Sequence, residues 1–137
     1  MNVDTIKVIS VDDSPIFAER LKNTFGEMEN INYLGNANNV TSAISLIDTH
    51  KPNVVILDIN LDKNHQNANG IFLLIVFRKK YPEMKIIMLT NLSFPIYRST
   101  CIKNGADFFI DKTLEFDRVE ETIRSIQHDD SLHLIAS

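Results

Sequence analysis

Hydrophobic positions fall along this chain in two alternating patterns: short apolar runs, and longer stretches where apolar residues return every three or four positions. The clearest run is Val54-Val55-Ile56-Leu57, flanked by Asn53 and by Asp58-Ile59-Asn60. Consecutive apolar, largely β-branched residues leave no polar side for solvent, so they predict a strand covered on both faces, as in the middle of a parallel sheet. Ile6-Lys7-Val8-Ile9-Ser10-Val11, Lys85-Ile86-Ile87-Met88-Leu89 and Asp107-Phe108-Phe109-Ile110 predict further strands, and the partly alternating Ile31-Asn32-Tyr33-Leu34-Gly35 suits an edge.

Helical spacing fills the intervals. Phe17, Leu21, Phe25 and Met28 form one stripe behind Ser14-Pro15, where Pro suits the first helical position, and Glu19, Arg20 and Lys22 form the wet face. Val40, Ala43, Ile44 and Ile47 mark a second helix that stops before Lys51-Pro52. A fourth helix runs from about Pro95 to Lys103, and Phe116, Val119, Ile123 and Ile126 define the last. The run Ile71 to Phe77 reads as strand or helix by periodicity alone; its length and the basic Arg78-Lys79-Lys80 before Pro82 favour a helix. Its core stripe is predicted as Ile71, Leu74 and Phe77 with Leu73. The other side then carries Phe72, Ile75 and Val76, a second apolar stripe that suggests a partner-binding or dimer surface, or else burial under the polar run Lys63–Asn69.

Strands alternating with helices imply parallel pairing through right-handed crossovers. The expected fold is α/β: a three-layer sandwich, flavodoxin-like, with a five-stranded parallel sheet in the order 2-1-3-4-5 and five helices. One domain is expected over residues 1–128. Residues 129–137 form a short tail that extends the last helix or covers a neighbouring chain, too short for an output module.

Composition narrows the classes of function. A chain of 137 residues with 44% hydrophobic and 23% charged content makes one globular domain. A formal net charge of -4 without a basic block argues against direct nucleic-acid binding. The single Cys101 leaves no internal disulfide and predicts a buried, inert thiol in a reducing compartment. With no signal-like start and no apolar run long enough to span a bilayer, a soluble cytoplasmic protein is expected. His50, His65, His128 and His133 lack ligand spacing, and Asp129-Asp130 reads as a helix-end charge pair.

The remaining polar residues gather in one place. Asp12 and Asp13 end the first strand, Asp58 the third and Thr90 the fourth, while Lys112 follows the fifth. All lie beyond carboxyl ends of strands, where open α/β sheets place their ligands. Three carboxylates in one crevice repel unless a cation joins them, and a hard divalent ion such as Mg2+ suits carboxylate oxygens together with phosphate oxygens. A Thr hydroxyl and a Lys ammonium complete the equipment for phosphoryl transfer. With no Ser-His-Asp set and no Gly-rich phosphate loop, the nucleophile falls to a carboxylate, and Asp58 is the central one.

These motifs, Val-Asp-Asp-Ser at 11–14, Ile-Leu-Asp-Ile-Asn at 56–60, Met-Leu-Thr-Asn at 88–91 and Asn-Gly-Ala-Asp-Phe-Phe-Ile-Asp-Lys at 104–112, resemble the receiver domain of two-component response regulators. The resemblance covers roughly Thr5 to Gln127. It implies that Asp58 accepts a phosphoryl group from a histidine kinase or histidine phosphotransfer protein. It also implies that Asp12, Asp13, Asp58 and the Asn60 main-chain carbonyl hold magnesium, and that Thr90 and Lys112 hold phosphoryl oxygens. A switch in which Thr90 moves and Phe109 turns inward is implied too; Phe109 stands where Tyr is common, so such a switch would run on packing alone, and the other reading is an ordinary core Phe. The reporting face implied by the family includes Ile96, Tyr97 and Cys101, and would bind a downstream protein target or a second copy.

Several positions depart from the family pattern. Asp62 stands where Pro is usual, and the loop to Gly70 is about four residues longer, either a mobile element beside the site or a neutral insertion. Thr113 replaces a Pro that often follows a cis peptide, so a trans bond is expected. Asn91 is larger than the usual residue and should crowd the site, and Asn60 and Leu92 occupy rate-tuning positions. The expected activity is therefore a stand-alone phosphoacceptor switch, not a turnover enzyme. Two rivals stand beside it: a pseudo-receiver that binds partners without phosphorylation, and a magnesium-dependent aspartyl-phosphate phosphatase of the haloacid dehalogenase type. The latter wants a second Asp two residues after the nucleophile, where this chain has Asn60.

Overall fold

The computed structural model describes residues 5–61 and 69–136, with side-chain environments through Asp129. The polar run with Asp62, His65 and most of the Asn-rich loop, and the side chains of the tail including His133, lie outside the described residues. The elements are β1 (Ile6–Val11), α1 (Pro15–Gly26), β2 (Ile31–Ala37), α2 (Val40–His50), β3 (Val54–Leu57), α3 (Asn69–Lys80), β4 (Lys85–Thr90), α4 (Pro95–Lys103), β5 (Phe108–Asp111) and α5 (Arg118–Ala136). The strands form one parallel sheet in the order β2-β1-β3-β4-β5, as the βα alternation predicts.

Successive residues of β3 divide between two cores, which is why no polar residue interrupts it. Val54 and Ile56 pack with Leu21 and Phe25 of α1 and Val119, Ile123 and Ile126 of α5. Val55 and Leu57 pack with Ala43 and Ile47 of α2, Leu73, Leu74 and Phe77 of α3, and Cys101 of α4. Two helices thus cover one face and three the other. Each fully buried aliphatic side chain contributes roughly 1.5–3 kcal/mol, so the inner strands form a rigid base for whatever their ends carry.

Local rules set the boundaries. Asn39 caps α2 by accepting the Ser42 N–H at 2.8 Å, and the helix stops at Lys51, whose φ of 46° and ψ of 64° lie in the left-handed region before Pro52. In α3 the predicted stripe faces the core: Leu73, Leu74 and Phe77 are buried, and Ile71 is partly covered and packed against them. Gly70 lies so close to the end of β3 that a Cβ there would sit 1.9 Å from the Asp58 main-chain oxygen, so only glycine lets α3 start this near the strand end. Phe72 and Ile75 are exposed and Val76 is half-buried. Phe116 lies before α5 and is buried from the loop, and residues 129–136 continue α5.

One contact set gave no warning in the sequence. Arg78, in the basic last turn of α3, donates from Nε to the Gly105 carbonyl at 2.9 Å, from one terminal nitrogen to the Met84 and Pro82 carbonyls at 2.8 and 3.0 Å, and from the other to Asp107 Oδ2 at 2.7 Å. Asp107 Oδ2 also accepts the Ile86 N–H at 2.9 Å. The guanidinium thus ties α3 to the starts of β4 and β5, at the edge of the sheet opposite the acidic residues.

Candidate functional site

The sheet register carries the predicted residues together. Beyond the ends of the strands, the Asp12 N–H donates to the Ala37 carbonyl, the Asp58 N–H to the Val11 carbonyl and the Lys112 N–H to the Thr90 carbonyl, at 3.0, 3.0 and 2.9 Å. Each side chain therefore starts from a fixed position at the same edge. Lys112 Nζ reaches Asp12 Oδ2 at 2.6 Å and Asp58 Oδ2 at 2.9 Å, and all three residues are buried. Thr90 is buried as well, its hydroxyl accepting the Leu92 N–H at 3.1 Å.

Oxygens of Asp12, Asp13 and Asp58 lie within 4.8 Å of one another. Burial pushes the Asp12 carboxyl above the usual carboxylate range, despite Lys112 beside it and the Ser14 N–H that donates to its Oδ1 at 2.8 Å. Burial also works against the charged form of Lys112, but the Asp58 and Asp12 carboxylates outweigh it and hold the ammonium above its ordinary value. Three carboxylates and one ammonium leave a formal charge of two negatives, which one divalent cation balances. Asp13 Oδ1 is buried without a hydrogen-bond partner among the described residues. An anionic oxygen in that situation is costly unless a cation meets it. The donor set is all oxygen, so the residues fit magnesium.

A cleft of about 130 Å³ opens over these groups, lined by Ser14, Phe17, Asp58, Asn60, Thr90, Asn91, Leu92 and Lys112. Phe17 was legible only as a core position of α1, yet its ring centroid lies 4.3 Å from Lys112 Nζ, a cation–π contact that helps fix the ammonium. Behind the acidic pair runs a polar chain the sequence did not reveal. The buried Ser10 hydroxyl donates to Asn36 Oδ1 at 2.7 Å and lies 2.6 Å from the Tyr33 hydroxyl, and Asn36 Nδ2 donates to the Asp12 carbonyl at 2.9 Å.

Comparison with known proteins decides the family. The family model described as "Response regulator receiver domain" matches residues 8–124. The chain belongs to the response regulator receiver domains. Among relatives, the receiver is 22% identical over 126 residues to "Transcriptional regulatory protein DegU" of Brevibacillus brevis, covering 92% of this chain and 52% of the relative. It thus spans about half the length of that protein. Among solved structures, the response regulator domain of Thermotoga maritima CheB superposes with a TM-score of 0.76 at 26% identity, covering 91% of this chain and 95% of that one. The isolated receiver domain of RcsB from Salmonella enterica serovar Typhimurium, in the presence of phosphomimetic BeF3-, gives 0.82 at 21% identity, covering 91% and 90%. Receiver domains are phosphoacceptors of two-component signalling, and neither rival reading is favoured.

The other predicted positions divide. Phe109 is buried at 4% exposure, packed in the core beneath α3 and α4, with the Arg98 guanidinium carbon 5.6 Å from its ring. Ile96 is exposed and Tyr97 half-buried on α4. Cys101 is not on that surface: it is fully buried, on the side of α4 that meets the sheet, and burial pushes its thiol up to about 11. The inert core thiol is therefore the correct expectation and the interface position is not. No cis peptide occurs among the described residues, so the bond before Thr113 is trans. Asn91 is exposed and forms part of the cleft wall, where Thr113 Oγ1 donates to its Oδ1 at 2.7 Å. Among the described residues no helix is long and apolar enough to cross a membrane.

Proposed function

We propose that Asp58 is the residue that accepts the phosphoryl group, and that it does so from a phosphohistidine of a histidine kinase or histidine phosphotransfer protein. The observation that carries this reading is the pairing of Asp58 with Lys112 at the head of a cleft, beside two further carboxylates. One oxygen of Asp58 is engaged by the ammonium, while the other accepts the Asn60 N–H at a long 3.4 Å among the described residues. That second oxygen attacks phosphorus; the bond to the donor's imidazole nitrogen breaks as the new phosphorus–oxygen bond forms, and the departing imidazole takes a proton from solvent.

Asp12, Asp13, Asp58 and the Asn60 carbonyl would hold Mg2+, which supplies neutralisation of the charge that builds on the phosphoryl oxygens. Lys112 shifts from its carboxylate partners to a phosphoryl oxygen. Thr90 gives up its contact with the Leu92 N–H and donates its hydroxyl to another. The movement of Thr90 changes the space above Phe109, and the signal passes by repacking toward α4, where Ile96 and Tyr97 face a downstream protein. Phe72, Ile75 and Val76 on α3 offer a second candidate contact, including for a homodimer. The protein acts as a switch in the cytoplasm, not as an enzyme that turns over substrate, and does not contact DNA itself.

Intact mass spectrometry after incubation with acetyl phosphate and Mg2+ tests the assignment. A hydroxylamine-labile phosphoryl adduct on the wild type, absent in Asp58→Asn, is expected. An adduct that persists in Asp58→Asn overturns the assignment.

A further inference from the structure

The residues that directly follow the site's hydroxyl and ammonium groups are bonded to each other. Thr113 Oγ1 donates to Asn91 Oδ1 at 2.7 Å, and Asn91 forms part of the cleft wall. The loops they belong to are joined again nearby. Asp111 Oδ1 accepts the N–H groups of Thr113 and Leu114, both at 2.9 Å. The Leu114 N–H, together with a hydrogen bond from the Ser93 side chain, holds the Asp111 carboxyl below the usual carboxylate range. At the backbone, the Lys112 N–H donates to the Thr90 carbonyl.

An exposed Asn side chain, left alone, samples several rotamers. Here one rotamer is selected by Thr113, and Thr113 is itself fixed by Asp111. The exposed Asn91 is thereby held at the rim of the cleft that the buried Thr90 and Lys112 also line. We propose that Asn91 and Thr113 form a latch at the rim of the cleft that slows the attack of water on phosphorylated Asp58. This rests on the reading of Asp58 as phosphoacceptor. In the step concerned, a water oxygen adds to phosphorus opposite the Asp58 oxygen. The phosphorus–oxygen bond to Asp58 breaks with its electron pair returning to the carboxylate, inorganic phosphate leaves, and the water's proton passes to solvent. The attacking water must enter from the open side of the cleft, and the latched amide narrows that approach.

Thr113→Val is the decisive variant, because it keeps the side chain's shape, removes only the hydroxyl and leaves Asn91 in place but untethered. The full chain is loaded with acetyl phosphate and Mg2+, the donor is removed, and loss of the acyl phosphate is followed by intact mass. Thr113→Val and Asn91→Ala should each speed the loss by about 3–10-fold, the scale set by one hydrogen bond. The double variant should decay no faster than Asn91→Ala. A wild-type decay rate in Thr113→Val, or a double variant equal to the product of the two singles, overturns the latch. If the wild type takes up no phosphoryl group, the phosphoacceptor reading itself fails; if every variant is loaded and all decay alike, only the latch fails.

Discussion

Replacing Asp13 by Asn should stabilise the metal-free protein and destabilise the magnesium-loaded one relative to wild type. Asp13 contributes one of three carboxylates whose oxygens lie within 4.8 Å of one another. At that separation and an effective dielectric constant near 20, each like-charge pair costs about 3 kcal/mol. Asp13 faces two such partners, and Lys112 offsets part of the repulsion. Because Asp13 is half-exposed, screening reduces the net relief in Asp13→Asn to roughly 1–2 kcal/mol. Asn has nearly the same shape, and its neutral oxygen loses less than an anionic one when Oδ1 lacks a partner. Magnesium reverses the comparison. A ligand at a hundred times its dissociation constant stabilises the wild type by about 2.7 kcal/mol, and the variant lacks a ligand needed for that gain. Urea unfolding followed by circular dichroism, once in chelator and once in saturating Mg2+, reads both differences. The rank order of the two proteins should invert between the conditions. If Asp13→Asn is the less stable protein in chelator, or if Mg2+ stabilises both equally, the electrostatic account of the site is wrong.

Other perturbations test the frame that holds the site. Gly70→Ala places a Cβ against the Asp58 main-chain oxygen and should cost about 3 kcal/mol; a change in urea stability below about 1 kcal/mol would show that α3 can move away. Arg78→Lys keeps the charge but loses the planar fork that reaches Gly105, Met84, Pro82 and Asp107, so it should lose about 2–3 kcal/mol, while wild-type stability would remove the guanidinium from its role. Cys101 has its thiol raised from 9.0 to about 11 by burial. The unfolded chain therefore ionises first, so this contribution is complete below about pH 9 and fades as pH rises to about 11, by ~2–3 kcal/mol in total. Cys101→Ala should flatten the fall in stability over that window, and Tyr33, Tyr81, Lys80 and Lys112, all raised as well, contribute to the slope that remains.

The sequence displayed the sheet and the site clearly because both obey short-range rules. An inner parallel strand must be apolar on both sides, so Val54–Leu57 had one reading, and polar residues at or within two positions of the strand ends marked the functional edge. Asp12, Asp13, Asp58, Thr90 and Lys112 were visible for that reason. Along α3 the stripe of Leu73, Leu74 and Phe77 with a partly covered Ile71 lies on the expected face, and only the half-burial of Val76 was not legible, because the run is apolar on every side. Cys101 was placed on a surface because α4 is weakly patterned, although it turns to the sheet. Arg78, the Ser10–Tyr33–Asn36 chain and the Asn91–Thr113 bond join positions far apart in sequence, and such side-chain partners leave no local periodicity. Phe17 was found as core but not as cleft wall, since a helical stripe does not say that its first member meets an ammonium.

The central claim is that strand ends assemble oxygen ligands for one divalent cation and, through it, a site for a phosphoryl group on Asp58. Fluorine NMR of the protein with beryllofluoride measures this directly. A bound fluorine signal that requires Mg2+ and vanishes in both Asp58→Asn and Asp13→Asn is the predicted result. No bound signal in the wild type, or one that forms equally well without Mg2+, would contradict the account.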